Sequence, residues 1–320
     1  MRAIVVSVFL EMAKMRFSSY NICAYHKKAL PLCLKRVKYC YLPPMKLLTA
    51  NRANKLLYNF LKVNKLSGNV LLPANVCPDV VKTLHHAGLS TTFVDLQVDN
   101  LCIHQEAVLR LAKEASMLLF VHTYGIEHDF YSFFEQVREQ NPDIVIVDDK
   151  CLCLPDLDVK DSAADLVLYS TGERKMVNLG GGAIGFLADK WQYDEVEVHG
   201  CDCLTNELWL LDPKQLYLKM DAIIAHKEKL NTIYRALLPE AIQLPDAYQH
   251  WRFHILVPNQ EQVLAALAAE GIPADCAYPS QDEACVVASN LHTLSVNLYN
   301  DKHLTPEQAT RACEIIKECL

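Results

Sequence analysis

Apolar positions along this chain follow two periods that take turns. Ala53, Leu56, Leu57, Phe60 and Leu61 keep the i, i+3, i+4, i+7, i+8 spacing of a helix with one apolar face. Thr49 stands ahead of them as an N-cap, so a helix is predicted from there. Short apolar runs then predict strands at Val70–Leu72, Thr92–Val94, Met117–Val121, Ile144–Val147, Leu166–Tyr169 and Ala183–Leu187. The stretches between them predict helices over Pro78–Ala87, Glu106–Ala115 and Asp129–Gln140. Strands that alternate with helices give a mostly parallel sheet covered by helices, because a parallel neighbour requires a crossover.

From about Leu208 the pattern changes. A long helical stretch to Leu238 precedes a strand at Arg252–Val257, a helix at Glu261–Glu270 and a strand at Leu294–Leu298. The last helix opens on Thr305-Pro306-Glu307-Gln308, a capping box with proline at the first helical position. The expected organisation is α/β: an N-terminal segment over 1–46, a larger α/β domain over 47–207 and a smaller α+β domain over 208–320.

Composition narrows this picture. With 51% apolar residues in 320, the chain has ample material for a core. No apolar run approaches the roughly 20 residues of a membrane-spanning helix, so no membrane span is expected. The 13 cysteines are odd in number and scattered, which fits reduced thiols and a cytoplasmic protein better than a disulfide framework. Cys151 with Cys153, and Cys201 with Cys203, repeat a C-x-C spacing. Alternate residues of a strand merely share a face, and the two-residue gap usual in zinc sites is absent, so no metal site is expected.

Charge is uneven. Of 31 Lys and Arg and 38 Asp and Glu, nine bases and the single acid Glu11 fall in residues 1–46, leaving a basic head on an acidic body. An acidic body argues against nucleic acid as the main ligand. The head reads as a helical segment that docks on the acidic body of its own fold or of a partner subunit; a targeting peptide, a surface helix and a nucleic-acid arm are the alternatives.

In an open parallel sheet, ligands bind beyond the carboxyl ends of the strands. The residues just past each predicted strand are Pro73 to Cys77, Asp95, His122 to Gly125, Asp148-Asp149 and Ser170 to Lys175. The first helix adds backbone amides and a guanidinium around Asn51 and Arg52, which suit a phosphate. A carboxylate after one buried strand, a lysine after the next and a phosphate-binding helix start are the parts of a pyridoxal-phosphate (PLP) site. The same residues also serve as a helix cap and a solvated charge in many proteins.

Three stretches resemble the DegT/DnrJ/EryC1/StrS family of PLP-dependent sugar-nucleotide aminotransferases. Val70-Leu-Leu-Pro-Ala-Asn-Val-Cys77, with Ala87-Gly88 and Phe93-Val94-Asp95, is similar to the family's proline-ended strand and the phrase that follows it. Val121-His-Thr-Tyr-Gly125 resembles its "VHLYG" turn. Ile146-Val-Asp-Asp149 and Ser170-Thr-Gly-Glu-Arg-Lys175, followed by Gly180 to Gly182, resemble its "I-E-D" and its serine five residues before the lysine. With the C-terminal phrases around Trp251 to Val257, Glu270 to Ile272 and Val296 to Leu298, the resemblance spans about 47–320.

The resemblance implies the PLP-transferase fold of type I and a role for each matching residue. Lys175 would hold the cofactor covalently and move protons, and Asp149 would face the pyridine nitrogen. Ser170, Asn51 and Arg52 would hold the phosphate, and Cys77 would stand where an aromatic ring commonly stacks on the cofactor. Asn206 would reach the phosphate of the neighbouring chain in a homodimer. The implied reaction takes an amino group from glutamate or a similar donor to a nucleotide-linked keto sugar. Relatives that dehydrate sugars carry histidine at the lysine position, and Lys175 argues against that chemistry. Leu152 replaces a Gln or His that usually touches the cofactor, and the first glycine is Gly68. These departures suit the alternative, a degenerate member that binds PLP or a sugar nucleotide as a sensor or assembly partner.

Overall fold

The computed structural model describes residues 45–126, 130–157, 159, 162–204 and 213–320. Residues 1–44 of the basic segment expected over 1–46, and the expected helix start at Asp129, lie outside the described residues. The strands are β1 (Met45–Ala50), β2 (Asn69–Pro73), β3 (Ser90–Val94), β4 (Met117–Val121), β5 (Val145–Asp149), β6 (Leu166–Ser170) and β7 (Ala183–Ala188). They form one sheet in the order β1-β7-β6-β5-β4-β2-β3. Only β7 runs against the others among these strands. Helices α1 (Ala53–Val63), α2 (Pro78–Ala87), α3 (Gln105–Leu111) and α4 (Tyr131–Gln140) connect them.

One expectation at the start of this sheet is corrected. Thr49 does not cap a helix: it pairs with Ile184 inside β1, and α1 begins after Arg52. Six residues of β1 pair with β7, and a ladder of backbone hydrogen bonds outweighs one capping hydroxyl. The strand also starts at Met45, inside the segment expected to be a separate head.

The sheet is covered on both faces, which is why its inner strands read as nearly unbroken apolar runs. Met117, Leu119, Val145, Val147, Leu166 and Leu168 pack with α1 and α2. Leu118, Phe120, Ile144, Ile146, Val167 and Tyr169 face the other way, toward Phe133, Phe134 and Val137 of α4. Residues beyond 213 complete that second cluster, with Tyr248, Trp251, Ala288 and Leu291 buried in it.

The C-terminal part holds α5 (Pro213–Leu237), β8 (Phe253–Leu256), α6 (Gln260–Ala269), β9 (Ala274–Asp275), α7 (Val286–Leu294), β10 (Ser295–Leu298) and α8 (Pro306–Cys319). Its three strands form an antiparallel sheet in the order β8-β10-β9. Leu230, Tyr234, Phe253, Val263, Val296 and Ile316 build its own apolar core. The capping box is present in both directions: Thr305 Oγ1 accepts from Gln308 N at 3.2 Å, and Gln308 Oε1 accepts from Thr305 N at 3.0 Å. Neither C-x-C pair lies on a strand; Cys151–Cys153 and Cys201–Cys203 are in turns, so the reading of alternate strand positions does not hold for them. No helix among the described residues is long and apolar enough to cross a membrane.

Candidate active site

Most of the candidates meet at one edge of the sheet, and strand register brings them there. Pairing sets Ala50, Ala183 and Ser170 in one row across β1, β7 and β6. In the next row, Gly182 N donates to Asn51 O at 2.8 Å and Thr171 N donates to Gly182 O at 2.9 Å. Gly182 sits at φ +98°, a conformation that costs other residues about 1–2 kcal/mol and that lets the chain turn back here. Asn51 and Ser170 thereby lie at the same end of the sheet, with β7 between them. Exposed Arg52 is the N-cap of α1, and no side chain caps that helix, so its first amides are suited to an anion.

Alternation along β5 separates the two adjacent aspartates. Asp148 continues the face of Ile144 and Ile146; Asp149 continues the face of Val145 and Val147, which β6 extends through Leu166 and Leu168 to Ser170. Asp149 pairs in register with Leu168, two residues before Ser170. Asp149 and Ser170 therefore share the face that α1 covers. Asp149 is buried and accepts from Cys151 N at 2.9 Å. Asp148, on the opposite face, accepts from His122 Nε2 at 2.7 Å, while His122 Nδ1 lies 2.9 Å from Ile126 O. That buried pair ties β4 to β5 and leaves Asp149 as the carboxylate at the edge.

Lys175 follows β6 in a turn closed by its own amide to Gly172 O at 3.1 Å. A Cβ added at Gly172 would lie 3.7 Å from Ser170 Oγ and 3.9 Å from Lys175 Cγ, so serine and lysine flank one small space. The side chain of half-buried Lys175 makes no hydrogen bond or ion pair among the described residues. The Cys151 thiol lies within the field of both charged groups: burial pushes it well above its ordinary range, Asp149 adds to the rise and Lys175 opposes it. Ser170 Oγ lies 3.5 Å from both Gly182 O and Gly172 N, at the outer limit of hydrogen bonding, so the hydroxyl is loosely held.

Other expected positions behave differently. Cys77 is the N-cap residue of α2, and its thiol lies beside Tyr278 of the C-terminal part. Leu152 packs against the cluster on the far face of the sheet from Asp149. Asp95 is committed to a helix, its carboxylate accepting from Val287 N at 3.0 Å and Ala288 N at 2.9 Å at the start of α7. Asn206 lies outside the described residues.

Sequence reasoning assigned no role to Asn75, although it falls between the quoted Pro73 and Cys77. Its Oδ1 is buried and accepts no hydrogen bond among the described residues, an acceptor left for a ligand or water at the end of β2. The link from Trp251 Nε1 to Arg174 O, at 2.7 Å, was equally hidden, because no local pattern marks a bond between residues 77 positions apart.

Neither a family model nor a curated protein matches this chain. Solved structures do. DesI, crystallised in the presence of its TDP-sugar product, superposes with a TM-score of 0.68 at 15% identity, covering 85% of this chain and 80% of its own. A DegT DnrJ EryC1 StrS aminotransferase from Brucella abortus gives 0.65 at 17% identity, with 87% of each chain covered. The sugar aminotransferase CalS13 from Micromonospora echinospora gives 0.65 at 15%, covering 86% and 87%. The chain has the fold of these aminotransferases.

Proposed function

We propose that this chain is a PLP-dependent aminotransferase that passes an amino group from glutamate or a similar donor to a keto sugar carried on a nucleotide. The carrying observation is that Asp149 and Ser170 share one face of the sheet edge, beside the turn of Lys175 and the row of Asn51, in a fold shared with sugar aminotransferases. The residues present fit the cofactor: an amine without an ion pair among the described residues, a buried carboxylate, a loosely held hydroxyl and an uncapped helix start. Buried, unpartnered Asn75 Oδ1 adds an acceptor past the end of β2.

The cofactor, when bound, supplies an electron sink for the substrate carbon. Lys175 Nζ anchors it and carries a proton to and from that carbon. The Asp149 carboxylate keeps the pyridine nitrogen protonated, and the Cys151 amide holds that carboxylate in place. Ser170 Oγ, the Asn51 and Arg52 region and the first amides of α1 bind the phosphate. A homodimer, with Asn206 reaching the neighbouring site, belongs to the same proposal.

Purified protein with added PLP should be yellow, and Lys175→Ala should lose the band. Asp149→Asn should keep the colour and lose turnover. Glutamate alone should bleach the band of the wild type, and Lys175→Ala should show no such change. Identical spectra in wild type and Lys175→Ala would overturn the proposal. Leu152 favours a second reading, because its side chain packs on the opposite cluster and offers no hydrogen bond. Wild type that binds PLP yet stays yellow with every donor would establish that reading, a binding protein on an aminotransferase fold.

A further inference from the structure

Cys201 and Cys203 face each other across a turn that Leu204 N closes on Cys201 O at 3.2 Å, and their sulfurs are 3.1 Å apart. Asp202 stands between them, and one carboxylate oxygen and the two sulfurs all lie within 4.8 Å of one another. The Cys203 sulfur is buried against α2, 3.8 Å from both Asp79 O and Thr83 Oγ1. Cys201 is half-buried and Asp202 exposed, so the donors open from the core toward solvent. Among the described residues this is the single group of three such donors so closely spaced.

We propose that Cys201, Asp202 and Cys203 bind one thiophilic divalent cation of the zinc class. A tetrahedral ion with bonds of about 2.3 Å to sulfur spaces two thiolates roughly 3.8 Å apart, so the pair has to open by less than an ångström. The carboxylate is the third ligand and solvent the fourth. On binding, two metal–sulfur bonds and one metal–oxygen bond form, the two thiol protons pass to solvent, and no electron is transferred. Three anionic donors on a divalent ion leave one negative charge, and the nearby positive charge is Lys82 of α2, ion-paired with Asp79 at 3.1 Å. The bound ion closes this turn, whose Cys203 sulfur rests against α2. Oxidation of the pair to a disulfide is the competing fate, but it would leave the placement of Asp202 without a role. Cys151 and Cys153 show the same spacing and no such third donor among the described residues.

The test uses full-length protein, freed of metal by a chelator and kept reduced with a phosphine, titrated with Cd2+ while thiolate-to-cadmium absorbance is followed. Other cysteines can also take up cadmium, so the difference between variants is the readout. Wild type should bind one equivalent more than Cys201→Ser/Cys203→Ser, and Zn2+ should raise the melting temperature of wild type more than that of the double variant. Asp202→Asn, which keeps both thiols, should weaken this equivalent at least tenfold and decides the question if the double variant does not fold. Equal stoichiometry in wild type and double variant, or unchanged affinity in Asp202→Asn, would overturn the site.

Discussion

Trp251 Nε1 donates to the carbonyl of Arg174 at 2.7 Å, so the C-terminal part of the chain grips the backbone next to Lys175. The indole is buried in the cluster shared by both parts, and its ring lies 5.7 Å from His254 and 6.3 Å from Tyr124. The lysine turn is thus fixed from outside the sheet as well as by β6. Trp251→Phe keeps most of the packing and removes the hydrogen bond. It should cost about 1 kcal/mol of stability, read from urea unfolding, and should speed protease cleavage within 172–182 under native conditions.

The His122–Asp148 pair should be worth far more to stability. Its side chains are almost fully buried, and Lys150 is 4.0 Å from Asp148. His122→Phe leaves the carboxylate in an apolar setting beside Phe120 and Phe130. Removing one partner of a buried pair costs about 3–5 kcal/mol, whereas replacing both with apolar residues recovers much of it. The urea midpoint should fall steeply in His122→Phe and partly recover in His122→Phe/Asp148→Leu.

Two glycines separate backbone strain from steric clash. Gly88 and Gly125 both have positive φ, +97° and +76°, but a Cβ at Gly88 meets nothing while one at Gly125 would lie 2.2 Å from Leu152 O. Gly88→Ala should therefore cost only the conformational penalty of about 1–2 kcal/mol. Gly125→Ala must also push the Tyr124 turn away from the loop after β5. Its loss of stability in thermal or urea unfolding should be clearly the larger.

His254 gives a pH dependence with a defined sign. Its ring is fully buried, stacked 3.8 Å from Tyr124, with Nδ1 2.7 Å from Asn297 Oδ1 and no partner at Nε2 among the described residues. Burial lowers its pKa from 6.5 to about 3, against the Asn297 hydrogen bond and with the help of the Arg252 and Lys227 charges. Between these values the unfolded chain holds the extra proton, so stability falls as pH falls, by about 1.4 kcal/mol per pH unit. His254→Phe should remove that share of the slope between pH 6 and 4 in urea unfolding, while carboxylate contributions cancel in the comparison.

Most of the fold was legible because it depends on local pattern. Helix α2 and strand β4 fall on the residues their apolar spacing predicts, and the capping box at Thr305 forms as written. Strand β1 was misread because six residues with a capping residue near their end carry no local sign of the β7 strand that they pair with.

By itself the sequence determined the succession of strands and helices, and it marked Asp149, Ser170 and Lys175 as candidates, since period and position relative to a strand are properties of neighbouring residues. Tertiary structure decided which of two adjacent aspartates faces the edge, because strand pairing sets which side of the sheet each alternate residue joins. It also turned Asp95 into a helix cap, set Leu152 on the far face and carried Trp251 to Arg174. Each of those outcomes depends on segments distant in the chain arriving together, and contacts of that kind leave no mark in the local spacing of apolar residues.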